Sequence, residues 1–147
     1  MKKYISLAVS LILTILIWSM SIQSGDTSGS LSYEITLNAS RILNMVFPSW
    51  MINLDVLHIV VRKTAHVVEY ALLTICYIYT IRGFKIKTIW VIPIGLLVSI
   101  IDESLQMLAD NRGPSLIDAF GFNFTGILTG YLIVLLMIKI KKKDYVS

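Results

Sequence analysis

Four long apolar runs punctuate the chain, at about 4–22, 61–81, 86–109 and 116–138, and each approaches or exceeds the ~20 residues that a helix needs to cross a bilayer. The pattern therefore predicts an all-α integral membrane bundle of four transmembrane helices, making one domain over residues 1–147. Lys2 and Lys3 ahead of the first run would also suit a signal peptide. The run is longer than a usual signal core and no A-x-A-like site follows it, which favours a retained span.

Between the first two runs lies an external segment, 23–60, that is neither span nor short loop. Its start, SIQSGDTSGS, is Ser/Gly-rich and reads as a loop. Leu31, Ile35, Ile42 and Val46 then recur near helical spacing until Pro48, and Trp50 follows. This predicts an outer interfacial helix anchored by Trp50. It serves either as a lid over a site or as a plain connector. His58, just before the second run, reads as interfacial.

Composition agrees with the pattern. Hydrophobic residues make up 56% of the chain and charged residues only 15%, against about 25% in soluble domains. The net charge of +4 is not gathered into a nucleic-acid-binding patch, because the basic residues sit at the ends of apolar runs. Nine Lys/Arg flank one side of the predicted bundle (Lys2, Lys3, Arg82, Lys85, Lys87, Lys139, Lys141, Lys142 and Lys143). Four lie on the other (Arg41, Arg62, Lys63 and Arg112). By the positive-inside rule both termini face the cytoplasm of a multi-pass cell-membrane protein. Cys76, the single cysteine, excludes an intrachain disulfide and reads as a small packing residue.

The informative residues are the polar ones inside the apolar runs. With a rise of 1.5 Å per residue, His66 and Glu69 lie roughly 6 and 10 Å inward from Arg62, and Asp102 and Glu103 lie about 10 Å inward from Ala109. Gln106 is shallower, and Asp118 and Asn123 descend from the same outer rim. Three spans thus place ionisable groups at one depth. A charge facing lipid costs at least about 2.5–3.5 kcal/mol, so such a layer is expected to face inward on a shared cavity. Arg62, His66, Glu69 and Tyr70 form one helical stripe, and Ser99, Asp102/Glu103 and Gln106 another. Gly126 and Gly130 make a small-xxx-small pair that would draw Asn123 inward. Arg112 at the outer mouth, beside the turn-forming Gly113-Pro114, either binds an anion through its planar fork or snorkels at the rim. Asp118 can face the site or simply favour the first turn of its helix.

Three chemistries suit the layer. His66 with carboxylates is a general acid/base set in outline. His66, Glu69, Asp102 and Asp118 offer metal-ligand types, but with one histidine the metal signal is weak, and neither a metal nor a cofactor is predicted. A purely structural hydrogen-bonded network is the third.

RKTAHVVEYALL, DESLQMLADNRGPSLID, the trailing Asn/Gly pattern and SMSIQSGDTSGSLS, in that order, resemble the VanZ-like family over most of the chain. The family's polar positions fall on Arg62, Lys63, His66, Glu69, Tyr70, Asp102, Glu103, Gln106, Arg112 and Asp118. Val67 and Leu105 stand where that pattern often has an aromatic and a histidine, and the Asp118-to-Asn123 spacing is one residue longer than usual. The resemblance implies a bacterial cell-envelope membrane protein linked to teicoplanin resistance. The resemblance supplies no activity; the chemistry of the layer itself suggests action on an anionic or sugar-bearing envelope lipid or precursor, with His66, Glu69, Asp102, Glu103 and Asp118 as the reacting groups and Arg62, Lys63, Tyr70, Gln106, Arg112 and Asn123 binding the substrate. Expected partners are membrane lipids, an envelope lipid precursor or the glycopeptide. Enzyme, lipid or solute transporter, and binding or assembly protein remain the three function classes.

Overall fold

The computed structural model describes residues 2–110 and 117–144, with side chains through residue 140. Five α-helices follow one another: α1 (Lys2–Ser21), α2 (Gly25–Val46), α3 (Leu54–Gly83), α4 (Val91–Leu105) and α5 (Phe124–Asp144). Short 3-10 turns flank α4, and a π-helical segment, Asp118–Asn123, leads into α5. There is no strand among the described residues. Four stretches are long and apolar enough to cross a membrane: Lys2–Ser21, Leu54–Gly83, Thr88–Leu108 and Asp118–Ile140. The expected all-α bundle of four such helices, with a further helix between the first two, is therefore the architecture found.

Two boundaries depart from the sequence reading. The stretch read as a Ser/Gly loop is helical from Gly25. Ser24 caps the helix by accepting from the Thr27 amide at 3.2 Å, and Asp26 lies in the first turn, where the helix dipole favours it. The following hydroxyls donate back along the helix, Ser30 to the Thr27 carbonyl and Ser32 to that of Ser28, instead of competing with it. Serines that looked like turn formers are thus a cap and its first turns. α2 stops at Val46, just ahead of Pro48, and Phe47 stacks on the exposed Trp50 with centroids 4.6 Å apart. The second correction is that α3 starts at Leu54, not near Val61, because Asn53 caps it through the amides of Asp55 and Val56. At 30 residues it is about 45 Å long, well beyond the ~30 Å hydrocarbon core. His58 therefore belongs to α3. Its Nε2 lies 2.7 Å from the Ser32 hydroxyl of α2, and its ring meets Tyr33 edge-on.

Helix association here uses small polar side chains and close backbones, as it must where lipid removes the hydrophobic drive between helices. The buried stripe of α1 is Ser10, Thr14, Ile17 and Ser21. Ser6 and Ser10 meet Thr80 of α3 at 2.9 and 3.0 Å, and Thr14 meets the Tyr77 hydroxyl at 2.7 Å. Large apolar side chains such as Ile5, Ile12 and Ile15 are left on the outside. α5 lies directly on α3: a β-carbon on Gly126 would sit 2.4 Å from the Val67 carbonyl oxygen, and one on Gly130 2.4 Å from that of Ala71. Two apolar clusters fill the interior, one around Tyr70, Leu73, Val98 and Ile127, the other around Ile78, Val91 and Val134.

The helices alternate in direction, so the bundle has two unlike ends. At one, Tyr4 packs edge-on against Phe84, and the lysines at 2, 3, 85 and 87 gather with Arg82. At the other, Ser21 bonds Asp102, the Gly25 amide bonds the Asp110 carbonyl, and Lys63 bonds Asp118. His66 and the carboxylates Glu69, Asp102, Glu103 and Asp118 belong to this second end.

Candidate functional site

The interior of the polar end is a chain of buried side chains from four helices. Ser21, in the last turn of α1, donates to the Asp102 carboxylate at 2.5 Å. The Tyr70 hydroxyl of α3 lies beside Asp102 and Ser99 and within the field of Glu103. Asn123 donates its amide to the Ser99 hydroxyl at 3.0 Å, and Ser99 in turn donates to the Ala119 carbonyl at 3.4 Å. Tyr70, Asp102, Ser99 and Asn123 are wholly enclosed, with Glu103 and Gln106 nearly so. Asp102 and Glu103, though neighbours on one helix, both turn inward. Among the described residues, the Asn123 side-chain oxygen completes no hydrogen bond. A buried amide oxygen is an acceptor, so this region has capacity for a further donor.

Asp118–Asn123 is π-helical, a wider turn than that of an α-helix, and runs directly into α5. Asn123 faces Ser99, while Gly126 and Gly130 face the backbone of α3.

Beside this interior lies a cleft of about 200 Å³ between α1, α2 and α3. Its walls are largely apolar, with Ile17 and Met20 from α1, Leu31 and Ile35 from α2, and Val61 from α3. Arg62, His66 and Glu69 line it from one stripe of α3, and His66 Nδ1 stands 4.0 Å from Glu69 Oε2. Ser21 also lines the cleft. One residue thus borders the open space and touches buried Asp102. A molecule in the cleft would meet an imidazole–carboxylate pair and a guanidinium, groups able to bind hydroxyls, hold an anion or move a proton.

The predicted residues do not all share that space. Lys63 pairs with Asp118 on another flank of α3, and its ammonium lies over the Phe122 ring, 5.2 Å from the centroid. Lys63 and Phe122 border a separate cleft of about 320 Å³ with Ile59, Val60 and Val67. The residues therefore fall into three sets: the cleft stripe Arg62, His66 and Glu69; the interior Tyr70, Asp102, Glu103, Gln106 and Asn123; and the flanking pair Lys63 and Asp118. Arg112 and the Gly113-Pro114 turn lie outside the described residues. Among the described residues, no three His, Cys, Asp or Glu side chains gather to hold a metal ion.

Sequence reasoning passed over Ser21, the link between cleft and interior. Its signal was the recurrence of Ser10, Thr14 and Ser21 on one face of an otherwise apolar helix. It also passed over the Ser32–His58 contact that fastens α2 to α3.

Neither the curated proteins nor the solved structures contain a significant match to this chain. The VanZ/LLP1 family model matches residues 6–138, a span that takes in the zipper of α1, the cleft stripe, the buried carboxylates and the close-packed α5. The chain is a member of the VanZ/LLP1 family.

Proposed function

We propose that the polar end is a site for an envelope amphiphile, an anionic or sugar-bearing lipid or lipid-linked precursor, in the outer leaflet of a bacterial cell membrane. The observation that supports this best is the cleft between α1, α2 and α3, whose apolar walls lead to Arg62, His66 and Glu69. Apolar walls with a few convergent polar groups suit a ligand having a hydrocarbon part and a polar head. In this reading α2 forms the outer wall and lies at the membrane interface. His66, with Glu69 and with Asp102 behind Ser21, binds hydroxyls or transfers protons, and Arg112 supplies the anion contact. A cytoplasmic position for the opposite end, and for both termini, is supported by its nine basic residues. The cellular outcome is reduced susceptibility to teicoplanin-type glycopeptides, which bear a lipid anchor of their own.

Comparative mass spectrometry of lipids and cell wall from cells carrying wild-type and His66→Ala protein tests this reading. A lipid or precursor species that depends on wild-type protein, and disappears with His66→Ala at equal protein level, is the expected result. Identical profiles with loss of the resistance phenotype would refute an enzymatic role. Transport is the second reading, favoured by the two clefts on different flanks of α3. It predicts movement of a labelled lipid between leaflets of proteoliposomes with no change in its mass.

A further inference from the structure

The strongest feature outside the polar end is at the opposite pole. Charge is sharply divided along the bundle. Among the described residues, the basic end carries nine Lys/Arg and one acid, Asp144, while the polar end carries the other eight Asp/Glu with Arg41, Arg62 and Lys63. Within the basic end a groove of about 510 Å³ runs between the last turns of α3 and the latter half of α5, lined by Tyr79, Arg82, Gly83, Val134, Met137 and Ile138. That volume lies inside the ~300–1,000 Å³ usual for small-ligand sites. Arg82 and Tyr79 are i and i−3 on one face of α3, so a guanidinium and a phenol border the same space. Both are exposed, and among the described residues Arg82 meets no carboxylate. Below them Val134, Met137 and Ile138 form an apolar floor.

We propose that this groove seats an anionic phospholipid, with its phosphate on Arg82 and the Tyr79 hydroxyl and the start of an acyl chain along Met137 and Ile138. The guanidinium fork matches two phosphate oxygens at once, which a lysine at the same place would not. The surrounding lysines raise the local concentration of anionic headgroups, and each contributes independently of the groove. Gly83, on the rim, is where α1 comes closest: a β-carbon there would lie 2.8 Å from the Lys3 β-carbon. Charge complementarity selects an anionic lipid over a zwitterionic one, and the apolar floor selects a lipid over a soluble phosphate.

Native mass spectrometry of the purified full-length protein in detergent tests the proposal, with phosphatidylglycerol or phosphatidylcholine added in equal amounts. The expected result is one tightly retained phosphatidylglycerol, at about tenfold higher occupancy than phosphatidylcholine. Arg82→Gln should lower that occupancy about tenfold, as loss of one charge-assisted bidentate contact predicts. Met137→Trp, which fills the groove without changing charge, should do the same. Lys87→Gln, which removes an equal charge outside the groove, should leave the retained lipid in place. Millimolar inorganic phosphate should not displace it. Equal loss with Lys87→Gln, unchanged retention in Arg82→Gln and Met137→Trp, or displacement by phosphate would each overturn the proposal.

Discussion

Replacing Gly126 by alanine tests the packing that brings α5 against α3 and carries Asn123 to Ser99. The added carbon would lie 2.4 Å from the Val67 carbonyl oxygen and 2.8 Å from the Tyr70 β-carbon, where ordinary contacts begin at 3.4 Å. Both neighbours are rigid parts of α3, so the helices must separate locally by about 1 Å or the Val67 peptide must tilt. Overpacking of this kind costs roughly 1–3 kcal/mol. The helix propensity of alanine over glycine returns at most ~1 kcal/mol. The net expectation is a loss of roughly 1–2 kcal/mol. Gly130→Ala meets the Ala71 carbonyl at the same 2.4 Å, and the double variant should cost less than the two singles summed, since one displacement relieves both. Gly29, in α2, has nothing within 4 Å of its would-be β-carbon. Its alanine variant should gain about 0.5–1 kcal/mol from propensity alone. Thermal unfolding followed by circular dichroism in detergent reads all three. If Gly126→Ala proves as stable as Gly29→Ala, the helices are not in the contact described.

Three further changes probe the site. Ser21→Ala removes the donor on buried Asp102 and should cost about 1.5–3 kcal/mol, with Ser21→Thr recovering much of it; equal melting of all three proteins would contradict the contact. Lys63→Met leaves Asp118 half-buried without its ammonium, so a double-mutant cycle with Asp118→Asn should give a coupling of about 1 kcal/mol or more, whereas zero coupling would remove the pair. His58→Ala releases Ser32 and Tyr33, and amide hydrogen exchange should quicken in α2 and the first turns of α3 but not in α5; a uniform change would show that His58 is not the fastening.

The four spans were legible because hydrocarbon thickness sets a length that apolar runs must meet, and the runs carry it plainly. The depth of the polar layer was legible for a related reason: a fixed rise per residue converts position into depth. Azimuth was harder to read. Lys63 follows Arg62 directly, yet about 100° of helical turn sends it to Asp118 while Arg62 faces the cleft. Ser24 to Ser30 looked like a loop because the residues that cap and open a helix are those that also form turns. The π-helical turn at Asp118–Asn123 was not legible because sequence alone does not announce one. Ser21 went unnoticed because a serine near the end of an apolar helix is ordinary until its partner, here Asp102, is known.

The proposed site requires a cleft at the polar end that opens to the outside of the cell, with the basic end inside. Single cysteines at Ala65, which lines the cleft, at Ser99, which is fully buried, and at exposed Arg82, each with Cys76→Ser, can be treated in intact cells with a membrane-impermeant thiol reagent. Modification at position 65, none at 99, and modification at 82 only after permeabilisation is the predicted pattern. Labelling at 82 with protection at 65 in intact cells would place the cleft on the cytoplasmic side and contradict the proposed site.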